Sequence, residues 1–403
     1  MFDHIPAYAG DPILSLNEDF QCDPRERKVN LTIGIYFDGD GRLPVLNAVR
    51  ESESRMGGAR GEGPRPYLPM AGIAQYREAV QALVFGADRP AVLEGRVATI
   101  QALGGGGALR VGGDFLKRAF PESEVWMSDP SWDNHRVVFE GCGFKVNTYP
   151  YYDATTGGLR FNDMMETIKR LPPRSIVLLH ACCHNPTGVD LTNAQWLQLA
   201  PVLVERQLIP FVDIAYQGFG DGPDADAFSV RTLTDAGLPC FVANSFSKNF
   251  SLYGERCGGL SVVCKSREEA QRVLGQLNAT VRANYSNPPT HGARAIAQVL
   301  HDPELKRAWF EELDGMRQRI ARMRQVLHSR LAGRLSGPRL DVYLQQRGMF
   351  TYTGLSAEQA DRLRVQHGIY ILRSGRLCVA GLNDGNVDIV ADAIAVVTAQ
   401  DQA

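Results

Sequence analysis

The sequence predicts an α/β protein with a large domain on a mainly parallel sheet and a smaller α+β domain. Three observations carry this prediction. Short apolar runs alternate with helix-patterned runs through the middle of the chain. Polar side chains gather just after several of those apolar runs, at the edge where open α/β sheets bind ligands. From about residue 313 the pattern gives way to one long amphipathic stretch and then to shorter mixed elements.

The expected strands are Val97–Leu103, Glu124–Ser128, Lys145–Tyr149, Ser175–His180, Ile209–Asp213, Cys240–Asn244 and Gly259–Cys264. Helices are expected over Ala108–Ala119, Phe161–Leu171, Asn193–Arg206 and Arg231–Ala236. Gly57–Pro69 is dense in Gly and Pro and reads as a long surface loop. Leu313, Met316, Ile320, Met323, Leu327 and Leu331 recur at helical spacing, with Arg317, Arg319, Arg322, Arg324 and Arg330 between them. A nucleic-acid helix is one reading; a long helix joining two domains with a solvated arginine face fits the balanced charge better. Beyond Asp341, short strands and helices alternate as in a small α+β domain.

Composition narrows the function. The 403 residues hold 43 Lys+Arg against 45 Asp+Glu, a formal net charge of −2, which does not suit a general nucleic-acid or acidic-membrane binder. No charge-free stretch reaches the length of a membrane span, and Asp3 and His4 stand where a signal peptide needs a basic and then an apolar run. The eight cysteines are dilute and form no C-x-x-C pair, and the eight histidines show no metal-ligand spacing. The expectation is a cytoplasmic enzyme without a metal.

The richest segment is Ser245-Phe-Ser-Lys248-Asn-Phe-Ser-Leu-Tyr-Gly-Glu-Arg256, directly after an expected strand. A cationic neighbour and partial burial both favour the neutral, nucleophilic amine of Lys248, as Schiff-base chemistry requires. Ser245, Ser247 and Arg256 offer hydroxyls and a bidentate charge to a phosphate. The alternative is an exposed lysine flanked by capping serines. Asp213 ends an apolar strand, where a carboxylate needs a partner. It could keep a pyridine nitrogen protonated, or simply cap the next helix. Tyr216 follows three residues later, within reach of a phenolic ring oxygen.

His184-Asn185-Pro186-Thr187-Gly188 is a turn signature whose interest lies in its position after a strand, where the Asn185 amide could donate to a ring oxygen. Gly104–Gly107 opens a helix-like run and offers bare amides to a phosphate. Leu109 and Arg110 fall where a dinucleotide fingerprint would need glycine, and no G-K-[ST] is present, so nicotinamide and nucleotide readings lose ground. Trp132 could stack on a flat ring or belong to the core.

Taken in order, YLPMAG, GGGGALR, DPSWDNH, HNPTG, DIAYQGF, SFSKNFSLYGERCG, RANYSNPP and SGR resemble the fold-type I pyridoxal 5′-phosphate enzymes. The resemblance is to class I aminotransferases, with YLPMAG, VATIQALGG and NSFSKNFSLYGER nearest the bacterial aromatic-amino-acid branch. It implies an N-terminal arm over 1–12, a large cofactor domain over 45–312 and a small domain over 13–44 and 313–403. It implies that Lys248 carries the cofactor and moves the proton, that Asp213 pairs with the pyridinium nitrogen, and that His135 orients Asp213. Asn185 and Tyr216 match donors to the ring oxygen, and Trp132 matches the stacking residue. Gly104, Gly105, Gly106, Ser245, Ser247 and Arg256 match the phosphate site. Tyr67 and Arg282 match residues that act across a homodimer, Tyr67 on the cofactor phosphate and Arg282 on a distal carboxylate. Arg376 matches the clamp on the α-carboxylate, and Gly34 the start of the substrate strand.

The implied activity is ping-pong transfer of an amino group from tyrosine, phenylalanine or aspartate to 2-oxoglutarate, with amino acids and 2-oxo acids as the substrates. The alternatives are an aspartate aminotransferase with little aromatic activity, β-elimination on the same cofactor, and a ligand-sensing regulator. Two departures stand out. Gly106 replaces the usual Thr or Ser, which predicts weaker cofactor retention. Arg373 replaces a small or apolar residue and is expected either to be exposed or to alter closure of the small domain.

Overall fold

The computed structural model describes residues 1–7, 10–57 and 66–399. The chain divides into two compact units. One comprises Pro44–Asp153 and Gly158–Arg319; the other comprises Met1–Leu43, Ala154–Gly157 and Ile320–Ala403.

The larger unit is built on seven strands: β1 (Val97–Leu103), β2 (Val125–Asp129), β3 (Val146–Pro150), β4 (Ile176–His180), β5 (Ile209–Ile214), β6 (Phe241–Ser245) and β7 (Cys257–Val263). Their order is β1-β7-β6-β5-β4-β2-β3, and only β7 runs against its neighbours. Every residue of β4, β6 and β7 is buried, as is expected where helices cover both faces of a parallel sheet. That burial is why these strands read as continuous apolar runs and not as alternating ones.

Helix α1 (Gly104–Ala119) begins four residues earlier than the apolar pattern predicts, because the glycine run is itself the first turn. It lays Ala108, Leu109, Val111 and Leu116 on a core that includes Phe211 and Leu260 of the sheet. Helix α2 (Asp133–Gly141) buries His135 and Phe139. The helix Asn193–Glu205 starts with a reciprocal cap in which Thr192 and Gln195 satisfy each other's backbone amides. The helix expected over Arg231–Ala236 starts earlier, at Phe228. Part of the expected Gly57–Pro69 loop, residues 58–65, lies outside the described residues.

The smaller unit holds β8 (Phe350–Tyr352) paired antiparallel with β9 (Arg376–Cys378), and a two-residue parallel pair, Val29–Asn30 with Ile369–Tyr370. Between them the helix Ala357–His367 opens on a Ser356–Gln359 capping box and closes on Gly368 in the left-handed conformation.

The long amphipathic stretch forms one helix, Pro303–Leu331, and all six of its periodic apolar residues are buried. Its arginines do not form a single solvated face. Arg322 and Arg330 reach Asp384 and Asp388, at 2.7 and 2.6 Å, and Arg317 pairs with Asp314. Arg324 is buried, with 5% of its surface exposed, because backbone carbonyls around residues 343–350 receive its guanidinium. The pattern misread this position because a helix face can turn inward wherever carbonyl groups need donors.

Candidate functional site

Three parallel strands deliver the reactive groups to one edge of the sheet. β4 ends at His180, β5 carries Asp213 and Ile214 at its end, and β6 ends at Ser245, three residues before Lys248. The reversed strand β7 starts at that same edge, since Leu103 pairs with Cys257, and so Arg256 arrives beside the start of α1. The amide of Gly104 donates to the Arg256 carbonyl at 2.9 Å.

Asp213 is buried inside β5, so it does not cap a following helix. His135 Nε2 lies 2.9 Å from Asp213 Oδ2, and Ser131 Oγ lies 3.0 Å from His135 Nδ1. Burial opposes ionisation of Asp213. The hydrogen bond with His135 and the electrostatic pull of its surroundings, Lys248 among them, outweigh it and hold the carboxyl below its ordinary pKa. Its other oxygen, Oδ1, is buried without a hydrogen-bond partner. A buried carboxylate oxygen is costly in that state, and a protonated ring nitrogen is a donor that would satisfy it.

The same edge carries a column of rings. Trp132, half-buried, meets His135 edge-on at 5.1 Å between centroids; His135 meets His180 at 5.0 Å; His180 meets His184 at 4.1 Å. Tyr151 stacks on His184, also at 4.1 Å. His184 is bracketed by Ser128 Oγ and Thr187 Oγ1, each 2.8 Å away. Burial, reinforced by the nearby His135, pushes the His180 pKa down to about 3, and burial likewise holds His184 far below the usual value, so both rings are neutral near pH 7. His180 Nδ1 and Nε2 are both buried without hydrogen-bond partners. Sequence reasoning gave His180 and His184 no role. The available signal was register: His180 is the direct cross-strand partner of Asp213.

Lys248 is half-buried in the turn after β6, and its Nζ sits 5.4 Å from the centroid of the buried Tyr216 ring. Asn185 is buried in the turn after β4, joined to Pro186 by a cis peptide bond.

Ser245 Oγ receives the Ser247 amide at 3.2 Å and lies 3.2 Å from Ser247 Oγ, while Arg256 Nη1 stands 3.5 Å from Ser247 Oγ. Gly104 has φ +68°, and a Cβ there would come within 2.8 Å of Arg256 Nη2; a Cβ at Gly105 would lie 3.2 Å from Ser245 Cβ. The positive φ favours glycine at the first position, and a side chain at the second would press on Ser245. A Cβ at Gly106 would meet nothing within 4 Å. These amides, hydroxyls and the guanidinium form a cradle of donors at a helix N-terminus, the chemistry a phosphate needs.

The structure thus brings Lys248, Asp213, Tyr216, His135, Trp132, Asn185, Gly104, Gly105, Gly106, Ser245, Ser247 and Arg256 to the sheet unit's ligand edge. Tyr67 is 91% exposed, and Arg282 is exposed on the helix Arg267–Asn284, where it donates to Ser286. Gly34 and Arg376 belong to the smaller unit, where Arg376 is buried and Arg376 Nη2 donates to the Thr32 carbonyl at 2.6 Å. Arg373 is 63% exposed and pairs with Asp361 at 3.2 Å.

Residues 26–394 match the family model "Aminotransferase class I and II". The chain is 58% identical to the aromatic-amino-acid aminotransferase of Escherichia coli K12, over 98% of this chain and all of the relative. It is 49% identical to an aspartate aminotransferase of Pseudomonas aeruginosa, over 98% of each chain. A solved aromatic-amino-acid aminotransferase from Burkholderia pseudomallei, covalently bound to pyridoxal phosphate, superposes with a TM-score of 0.95 at 51% identity, covering 98% of this chain and 99% of that one.

Proposed function

The chain belongs to the class I and II aminotransferases, and on that premise we propose that it moves the amino group of tyrosine and phenylalanine, and of aspartate, to 2-oxoglutarate. The observation that carries the chemistry is the unpartnered Asp213 oxygen on the sheet edge that also presents Lys248. The aromatic preference rests on the higher identity to the aromatic enzyme, 58% against 49% for the aspartate one.

The cofactor is pyridoxal 5′-phosphate, which supplies an electron sink for the bond broken at the amino acid's Cα. Asp213 Oδ1 would accept the ring-nitrogen proton, with His135 holding the carboxylate in place through Oδ2. Gly104, Gly105, Gly106, Ser245, Ser247 and Arg256 would hold the phosphate. Asn185 and Tyr216 would donate to the ring oxygen, and Trp132 would cover the ring face. Lys248 would carry the cofactor between turnovers and, once released, move the Cα proton as general base through Nζ. Arg376 would take the α-carboxylate with its planar fork. The same groups run the second half-reaction in reverse on 2-oxoglutarate.

The working unit in this reading is a homodimer. Tyr67 and Arg282, both exposed in the single chain, would act in the neighbouring subunit, Arg282 on a substrate's distal carboxylate. All eight cysteines are free, which suits a reducing cytoplasm. Among the described residues no helix is long and apolar enough to cross a membrane.

The test is a visible spectrum of the holoenzyme before and after tyrosine is added without an acceptor. A shift from the visible band to the aminated cofactor's near-ultraviolet band is expected. A shift with aspartate and none with tyrosine would make this an aspartate enzyme. The absence of any visible band after reconstitution would end the reading.

A further inference from the structure

Phe350 faces Cys378 across the β8–β9 pair, with Arg376 two residues along β9, so Phe350 and Arg376 are diagonal neighbours on one face. The guanidinium carbon of Arg376 stands 4.2 Å from the centroid of the Phe350 ring. The opposite constraint comes from the segment that also holds Thr32, because a Cβ on Gly34 would fall 2.8 Å from Phe350 Cζ. The ring therefore fills the gap between Gly34 and the guanidinium, and no larger residue fits at position 34 without moving it.

The backbone that carries this ring is itself clamped. Arg324 donates to Thr351 Oγ1 at 2.5 Å, to the Gly348 carbonyl at 2.9 Å and to the Phe350 carbonyl, fixing the chain on both sides of the ring. An arginine has several torsions to freeze before it can meet a ligand with both nitrogens, and ordering it at the moment of binding weakens affinity. An aromatic face and a carbonyl orient a guanidinium without neutralising it, whereas a carboxylate would compete with the ligand for its charge.

We propose that Phe350 is the positioning residue of Arg376: its ring sets the guanidinium in the orientation that receives the substrate's α-carboxylate. This rests on the assignment of that carboxylate to Arg376 in the proposed function. No reacting atom touches Phe350 in this account; it acts through the arginine.

The experiment follows single turnovers of the holoenzyme by absorbance, giving a tyrosine dissociation constant and a limiting rate for each variant. Phe350→Leu is expected to weaken tyrosine binding about 10-fold, the scale of a desolvated cation–π contact, with a limiting rate within about 3-fold of the parent. Phe350→Tyr, which keeps the ring, should bind tyrosine within about 2-fold of the parent. In an Arg376→Met background, Phe350→Leu should add no further weakening. Tyramine, which lacks the carboxylate, should react equally with the parent and Phe350→Leu. Unchanged tyrosine affinity in Phe350→Leu, the same weakening in the Arg376→Met background, or an equal loss with tyramine would each overturn the positioning role. Unchanged affinity in Arg376→Met alone would instead strike the carboxylate assignment and remove the premise.

Discussion

The two units hold their buried charges in different ways. In the sheet unit, one oxygen of Asp213 is held by a side-chain relay through His135 and Ser131, all three within 82 residues of one another along the chain. In the smaller unit, the buried cations Arg324 and Arg376 rest on main-chain carbonyls and a phenyl ring, and Arg376 reaches Thr32 across most of the sequence. The first arrangement fixes a charge through residues whose identity matters. The second leans on main-chain carbonyls that many sequences could supply, together with the Thr351 hydroxyl, one ring and one glycine. Substitution should therefore be punished at named side chains in the sheet unit and mainly at Phe350 and Gly34 around the arginines.

The largest effect should come from the sheet edge. Lys248→Ala is expected to abolish turnover with tyrosine and with aspartate while leaving the fold intact by circular dichroism; measurable transamination would break the assignment of the base. Asp213→Asn should lower kcat by about two to three orders of magnitude, the scale of losing one preorganised electrostatic partner. A loss of less than 10-fold would show that the relay is structural.

Acid stability sharpens the comparison next. His180 titrates near 6.5 when unfolded and at about 3 when folded. Between those values the unfolded chain binds more protons, so stability is lost as pH falls from about 6.5 toward 3, by about 1.4 kcal/mol per pH unit for this ring. His180→Phe should flatten the drop in urea midpoint between pH 6.5 and pH 5, with Phe350→Leu as a control that leaves the slope alone. An unchanged slope in His180→Phe would assign the acid sensitivity elsewhere.

Smaller effects are expected where the structure is permissive. Gly106→Ser meets open space and adds a hydroxyl near the phosphate cradle, so cofactor affinity measured by dialysis and reconstitution should tighten about 3- to 10-fold. Arg373→Ala removes one exposed ion pair, and its Tm should move by less than about 2 °C.

Much of the placement of this candidate site is legible in the sequence. Parallel strands buried on both faces give unbroken apolar runs, and the polar residues at or just past the end of such a run stand out, as Asp213 and Lys248 do. Arg324 was not legible, because helical spacing reports which positions are apolar and says nothing about which carbonyls wait for a donor. His180 escaped because an apolar run ending in histidine looks like any strand end until its register with Asp213 is known. Phe350 lies on a three-residue strand, too short for any periodicity to mark it.

The reversed strand has one more consequence. Ser245 and Gly258 are paired, and the Phe246 amide donates to the Cys257 carbonyl at 3.0 Å, so residues between them leave the sheet and return to it at the same place. Lys248 thus rides on a tether with both feet planted, and its amine can search only a small volume. For the base proposed here, that confinement acts as a high local concentration would.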